Sequence, residues 1–188
     1  MTFHTLNTIS ILWGLSEMTL ALVKKASSRE AAGRDQSSLP LLWVAVTLSI
    51  FGGLFFAMRH LAPMIFDPTM RLLAAAILFF SGVALRATAI LTLRNYFTVN
   101  VAIREGHQLI THGIYSVIRH PAYSGLLLSF IGWGVALGDW LSLACSSLPM
   151  LATVAYRIVV EERALIGAFG EKYAEYSRRT KRLVPLVY

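Results

Sequence analysis

Residues 119–162, RHPAYSGLLLSFIGWGVALGDWLSLACSSLPMLATVAYRIVVEE, decide how this chain folds. They hold two apolar runs, 122–138 and 140–160, joined at a Gly138-Asp139 turn. Each run is close to the ~20 residues a helix needs to cross a bilayer core. So tight a link predicts an antiparallel pair of helices. Where both runs return, the apolar pattern gives way to Arg119-His120-Pro121 on one strand of the hairpin and Glu161-Glu162 on the other. Titratable groups beside a bilayer are unfavourable unless they are used, so this polar end reads as a functional site.

The rest of the chain is written for lipid. Of 188 residues, 56% are apolar and only 14% charged, a smaller charged fraction than a soluble domain carries. The length suits one domain, 1–188, with three spans in 1–93 and a polar core region in 94–188. A net charge of +7 raises the question of nucleic acid. The Lys and Arg residues cluster at the ends of apolar spans, which fits membrane orientation and not phosphate reading. The single cysteine, Cys145, excludes an internal disulfide and a multi-cysteine zinc site, and reads as a small buried apolar residue. No His, Cys and carboxylate set has metal-ligand spacing, so no metal is expected.

Five spans are predicted. The first, about 3–23, carries Asn7 and Glu17; lacking a basic start and a small-residue cleavage site, it reads as retained. A polar loop, 24–38, follows. The second span is about 39–58, with Pro40 suited to a helix start. A link containing Pro63 and Pro68 leads to a third, about 70–93. Residues 95–119 mix aromatic, polar and glycine residues and keep no apolar face. Beyond the hairpin, 161–179 places Leu165, Phe169, Tyr173 and Tyr176 on one helical face, predicting an amphipathic helix on the membrane surface or against the protein.

Charge sets the orientation. Residues 24–38 hold four Lys/Arg, 94–119 three, and the region from Arg157 onward seven. The other side has only Arg59 and Arg71, and the Gly138-Asp139 turn has none. With five spans the basic segments share one face, which the positive-inside rule makes cytosolic. The N-terminus is then outside, and the C-terminus and the polar cluster are inside.

Taken singly, the cluster residues have structural readings. Pro121 suits a first helical turn, where its missing N–H would be unpaired anyway, and Arg119 could snorkel to headgroups. Tyr115 and Tyr123 fit an interfacial aromatic belt. Gly113 and Gly125 fit turning and close packing. Adjacent glutamates could be solvated caps, although the negative end of a helix dipole disfavours them unless the helix runs on. Taken together, Arg119, His120, two carboxylates and two tyrosines suit a polar, partly cationic ligand. Carboxylates pair with ammonium or sulfonium, and aromatic faces add cation–π attraction.

The pattern Gly113-x-Tyr115-x-x-x-Arg119-His120-Pro121-x-Tyr123-x-Gly125, the apolar hairpin and Glu161-Glu162 resemble the integral-membrane methyltransferases. That group includes isoprenylcysteine carboxyl methyltransferase and the phospholipid N-methyltransferases. The tail Leu165-Ile166-x-x-Phe169-Gly170-x-x-Tyr173-x-x-Tyr176, closing with Arg182-Leu183-Val184-Pro185, matches as well. The resemblance covers about 109–185; earlier residues match only in being membrane spans. It implies methyl transfer from S-adenosylmethionine at the membrane, with the cofactor on the cytosolic side. Carried over by position, His120, Pro121, Tyr123 and Gly125 line the cofactor pocket, with Tyr115 nearby. Glu161 or Glu162 holds its amino group, and Arg119 orients the acceptor or a carboxylate. Arg119 and Glu162 are accordingly the residues expected to serve the reaction most directly.

No Gly-x-Gly-x-x-Gly loop follows a strand, so a soluble Rossmann-type methyltransferase does not fit. A sulfonium methyl is already activated, and the protein need only align the reacting groups and exclude water. A carboxylate acceptor needs no base; an amine or hydroxyl needs one, for which His120 or a glutamate is available. The expected partners are a lipophilic small molecule or lipid-modified substrate, entering sideways from the bilayer, and membrane lipids. Glu17 and Arg86 could pair with each other or line that path. His107 and His112 read as solvated loop residues, and Gly132 and Gly134 with Trp133 as tight helix packing. Two rivals are a sterol-reductase-like NADPH enzyme, which shares an Arg-x-Pro-x-Tyr pattern, and a non-catalytic membrane scaffold. The acidic pair favours the methyltransferases over the first, and the concentration of titratable groups argues against the second.

Overall fold

The computed structural model describes residues 38–97, 106 and 108–184, and these form five α-helices and no strand. The helices are α1 (Ser38–Arg59), α2 (Pro68–Leu93), α3 (Pro121–Leu137), α4 (Trp140–Phe169) and α5 (Glu171–Arg179). Short 3-10 turns lie at Arg94–Tyr96 and Gly113–Ser116. Helices α1, α2 and α4 are long and apolar enough to cross a membrane, and α3 is a shorter apolar helix. The chain is an all-helical, polytopic integral membrane protein. Four of the five predicted spans are seen. The first, with Asn7 and Glu17, lies outside the described residues, as do nearly all of loop 24–38, His107 and Pro185.

The distribution of side chains is that of a protein solvated by lipid. Large apolar groups point outward, among them Val44, Leu48, Phe51 and Phe55 on α1 and Leu73, Ile77, Phe80 and Leu91 on α2. Small polar residues are buried instead: Ser49, Ser129, Ser142, Ser146 and Thr153. Such residues let helix backbones approach and supply hydrogen bonds between them. Ser142 Oγ, on α4, donates to the Gly53 carbonyl of α1 at 2.9 Å.

Helices α2 and α3 meet backbone to backbone. A Cβ placed on Gly125 would stand 2.5 Å from the Gly82 oxygen and 2.6 Å from the Arg86 nitrogen; one on Gly132 would stand 2.5 Å from Phe79 N. Only hydrogen fits there. The expected packing role of Gly132 and Gly134 is met on two sides, Gly132 against α2 and Gly134 against Leu143 and Ser146 of α4.

The hairpin turns where expected, and Asp139 explains its rigidity. Its Oδ1 accepts from Leu141 N at 2.9 Å and Ser142 N at 3.1 Å, capping α4. Its Oδ2 accepts from Ala62 N at 2.7 Å, and backbone bonds Met64 N to Gly138 O and Trp140 N to Ala62 O pin the α1–α2 link to the turn.

One expectation is corrected. Residues 161–179 do not form a single amphipathic helix: the first half continues α4 to Phe169, and the chain breaks at Gly170, where φ is +53°. Glycine adopts that conformation without steric penalty, and α5 starts in a new direction. Glu161 and Glu162 are therefore on an unbroken helix. At 30 residues α4 is about 45 Å long, well beyond a ~30 Å hydrocarbon core.

Candidate functional site

Three stretches of chain meet at the polar end of the hairpin. The 3-10 turn Gly113–Ser116 buries Tyr115, whose hydroxyl donates to Ala89 O of α2 at 3.4 Å. Its carbonyl accepts from the Tyr176 hydroxyl of α5 at 2.7 Å. Burial pushes the Tyr115 and Tyr173 phenols far up and that of Tyr176 to about 12, so all three are neutral donors. Tyr173 is 2% exposed and its hydroxyl has no partner among the described residues, although its surroundings include Glu162 and Arg119.

Residues 181–184 run back along the start of α3. Arg119 N donates to Lys181 O at 2.7 Å, His120 N to Arg182 O at 3.0 Å, and Ser124 Oγ to Leu183 O at 2.6 Å. His120 is the N-cap of α3 and makes no side-chain cap bond. The returning segment thus satisfies backbone donors just ahead of the helix, while Pro121, buried in the first turn, has none to satisfy.

The two glutamates have different surroundings. Glu162 is 8% exposed and is gripped from three directions. Arg119 Nε donates to its Oε1 at 3.0 Å, Arg182 Nη2 to its Oε2 at 2.8 Å, and His120 Nε2 lies 3.4 Å from Oε1. Arg119 is itself held by its Nη1, which donates to the carbonyls of Ser177, at 2.8 Å, and Thr180. Glu161 has a side chain 33% exposed, with Oε2 3.8 Å from His120 Nδ1. His120 therefore stands between the carboxylates, with its ring 5.8 Å from that of Tyr123. Charge-assisted bonds hold Glu162 on protein groups; Glu161 has carboxylate surface to offer a ligand.

The structure thus brings together Tyr115, Arg119, His120, Pro121, Tyr123, Glu161 and Glu162. Gly125 faces elsewhere, its Cα closed by the backbone of α2. Arg86 reaches the cluster from α2, donating from Nη1 to Ala122 O at 3.1 Å. Two further arginines belong to the site. Arg182, in sequence only a part of the tail pattern, donates to Glu162 at 2.8 Å. Arg157 counts in sequence only toward the charge of its region. It is 2% exposed in α4, with Nε donating to the Tyr123 hydroxyl at 3.3 Å. A cation inside an apolar run was the available signal.

The fold and site define a polytopic membrane protein whose apolar hairpin closes on a buried Arg-His-Glu cluster. The family model of isoprenylcysteine carboxyl methyltransferase (ICMT) matches residues 74–167, which include α3, Arg119, His120, Glu161 and Glu162, and most of α4. The chain belongs to this family. It is 40% identical over 108 residues to protein-S-isoprenylcysteine O-methyltransferase B of Arabidopsis thaliana, covering 56% of this chain and 55% of that protein. It is 32% identical over 108 residues to protein-S-isoprenylcysteine O-methyltransferase of Homo sapiens, covering 56% of this chain and 38% of that protein. The solved structure of the eukaryotic intramembrane Ras methyltransferase ICMT superposes with a TM-score of 0.64 at 25% identity, covering 81% of this chain and 54% of that one. The chain spans about half the length of the first of these relatives.

Proposed function

We propose that this chain is an S-adenosylmethionine-dependent methyltransferase embedded in the membrane, acting on a lipophilic acceptor with an isoprenylcysteine-like carboxylate. The observation that carries the reading is the unequal pair: Glu162 locked by Arg119, Arg182 and His120, and Glu161 beside it with a third of its side chain open. The residues fit the cofactor. Its ammonium suits Glu161, its cationic sulfur suits the face of Tyr123, and the buried Tyr173 hydroxyl, without a partner among the described residues, is a further donor. When bound, the cofactor supplies a methyl group already activated on sulfur.

The chain's own residues then bind, orient and exclude water. His120 and Pro121 flank the site at the start of α3, and Tyr115 beside them ties α2 to α5 through Ala89 O and the Tyr176 hydroxyl. Arg119 and Arg182, the guanidiniums beside the carboxylates, orient an acceptor carboxylate. That acceptor is already nucleophilic, so His120 and Glu161 position groups and need not remove a proton. The Lys and Arg distribution supports a site on the cytosolic face with the N-terminus outside. In this reading 94–188 hold the cofactor core of a single domain, and α1 and α2 supply the acceptor side.

The test is binding and transfer with the full chain in lipid nanodiscs. S-adenosylhomocysteine is expected to bind, and labelled methyl groups to appear in farnesylcysteine and not in its carboxamide. Binding of NADPH alone would overturn the reading in favour of a reductase. Equal labelling of an amine-headed lipid would overturn the choice of acceptor.

A further inference from the structure

His120 opens α3 as its N-cap, a position where side chains commonly accept from the first N–H groups of the helix, yet its ring makes no such bond. Its backbone is already engaged. The N–H donates to Arg182 O at 3.0 Å, and the carbonyl accepts from Tyr123 N at 3.0 Å and Ser124 N at 3.1 Å. The ring is buried, with 3% of the side chain exposed, and lies between two carboxylates of α4. Nε2 is 3.4 Å from Glu162 Oε1, and Nδ1 is 3.8 Å from Glu161 Oε2.

These two contacts assign the hydrogen of the ring. Glu162 accepts from both Arg119 and Arg182, so it is ionised and can only accept. The imidazole nitrogen that faces it must donate, which puts a hydrogen on Nε2. A neutral imidazole carries one N–H, so Nδ1 is then an acceptor. It faces Glu161 Oε2, a second acceptor, across a gap too long for a hydrogen bond. Two acceptors turned toward one point suit a donor between them. A nitrogen ~2.9 Å from each closes a triangle on the 3.8 Å edge, and a primary ammonium has hydrogens for both. An imidazolium would also match both carboxylates, but it would set a second positive charge against that of the ligand, so the occupied site takes the neutral ring.

We infer that His120 Nδ1 is a second acceptor for the ammonium group of the ligand, shared with Glu161, and that Glu162 fixes the tautomer that makes it one. The inference rests on the proposed cofactor role of Glu161. It gives the locked glutamate a task besides joining stretches of chain: it holds the Nε2 hydrogen in place, as a carboxylate does for a histidine that ligates a metal through its other nitrogen. The effect of Nδ1 is confined to recognition of the amino group.

Two probes separate this role from a structural one: S-adenosylhomocysteine, and its analogue with hydrogen in place of the α-amino group. Calorimetric titration of the full chain in nanodiscs is expected to show wild type preferring the amino-bearing ligand. His120→Gln brings its amide to the place of Nε2, keeping a donor for Glu162 and leaving nothing at Nδ1. It is expected to bind S-adenosylhomocysteine about tenfold more weakly, the value of one hydrogen bond to a charged group, and the analogue as wild type does. His120→Asn brings an amide oxygen to the place of Nδ1 and retains most of the preference. Equal weakening of both ligands in His120→Gln would show a structural role and overturn the inference, as would an undiminished preference. Should His120→Gln fail to insert, loss of the preference in His120→Asn overturns it instead. Nitrogen-15 spectra of the five labelled histidines, with His120→Asn for assignment, read the tautomer directly. With S-adenosylhomocysteine bound, the hydrogen of His120 is expected on Nε2; a hydrogen on Nδ1 would also overturn the inference. A wild type that binds neither ligand, or both alike, would sink the reading of Glu161, and this inference with it.

Discussion

Arg182 grips Glu162 with two nitrogens, Nη2 at 2.8 Å and Nε at 3.1 Å from Oε2, and so closes the segment after α5 onto the last turns of α4. Arg119 takes the other oxygen. One buried carboxylate thus joins three stretches of chain. Glu162→Ala would leave two guanidiniums and His120 facing one another. The expected loss is about 3–5 kcal/mol, as for one partner of a buried pair, read as a lowered Tm in detergent. Arg182→Ala is expected to lose less, roughly 1–2 kcal/mol, because its side chain is 35% exposed and its bonds are partly replaced by water. A wild-type Tm in Glu162→Ala would show that another contact holds the segment.

The neighbouring carboxylate is expected to behave in the opposite way. Glu161→Gln keeps shape and removes charge at a partly open position, so stability should move by no more than about 0.5 kcal/mol. Affinity for S-adenosylhomocysteine should fall about tenfold or more, because an ammonium loses its charged acceptor. The comparison is a pair of titrations and melts. Loss of stability with unchanged affinity would reverse the roles assigned to the two glutamates.

Sequence made the spans and the polar cluster legible for different reasons. Apolar length is a local property, so the hairpin and its turn could be read from residues 122–160, and Asp139 even sits at the cap. The cluster could be read because Arg119, His120 and Glu161-Glu162 interrupt apolar text at both ends of one hairpin. What could not be read is which glutamate is spent on the protein. That depends on Arg182 arriving from beyond a break at Gly170, and a long amphipathic pattern concealed the break. Gly125 shows the converse limit. A glycine inside a site pattern can serve helix contact, and only the position of α2 reveals it.

That contact gives a third expectation. Gly125→Ala adds a methyl where Gly82 O and Arg86 N stand 2.5 and 2.6 Å away, and neither is a flexible side-chain end. Helices α2 and α3 must separate, at about 1–3 kcal/mol for overpacking. Ligand affinity should fall only as far as stability does, since Gly125 faces α2. A lost affinity with an unchanged Tm would return Gly125 to the pocket.

Tyr176 sets an alkaline limit. Its hydroxyl donates to Tyr115 O at 2.7 Å, and a phenolate cannot donate. Burial raises its pKa from the ordinary 10 to about 12. A raised folded-state pKa means the contribution is fully present below about pH 10 and is lost as pH rises through about 12. Tyr176→Phe should therefore be roughly 1–2 kcal/mol less stable at neutral pH and fall less steeply than wild type above pH 10. Parallel alkaline slopes would assign the titration to Tyr115 or Tyr173.

Asp139 offers a test of the opposite face that leaves the site alone. Its Oδ1 caps α4 and its Oδ2 holds Ala62 N, so the two oxygens do separable jobs. Asp139→Ala removes both, at about 1 kcal/mol for the cap and roughly 1–3 kcal/mol for an unsatisfied N–H. Asp139→Asn keeps one acceptor oxygen. That oxygen can serve the cap, but the amide nitrogen then meets the Ala62 N–H, donor against donor. Asparagine should therefore recover the cap and not the link: Tm intermediate between wild type and alanine, with faster amide exchange at Ala62 and Met64 in both variants. Since Ala62 and Met64 bond to the turn itself, their exchange reports the link directly. Equal Tm values for Asp139→Asn and Asp139→Ala would mean that the link, and not the cap, carries the stability of this turn.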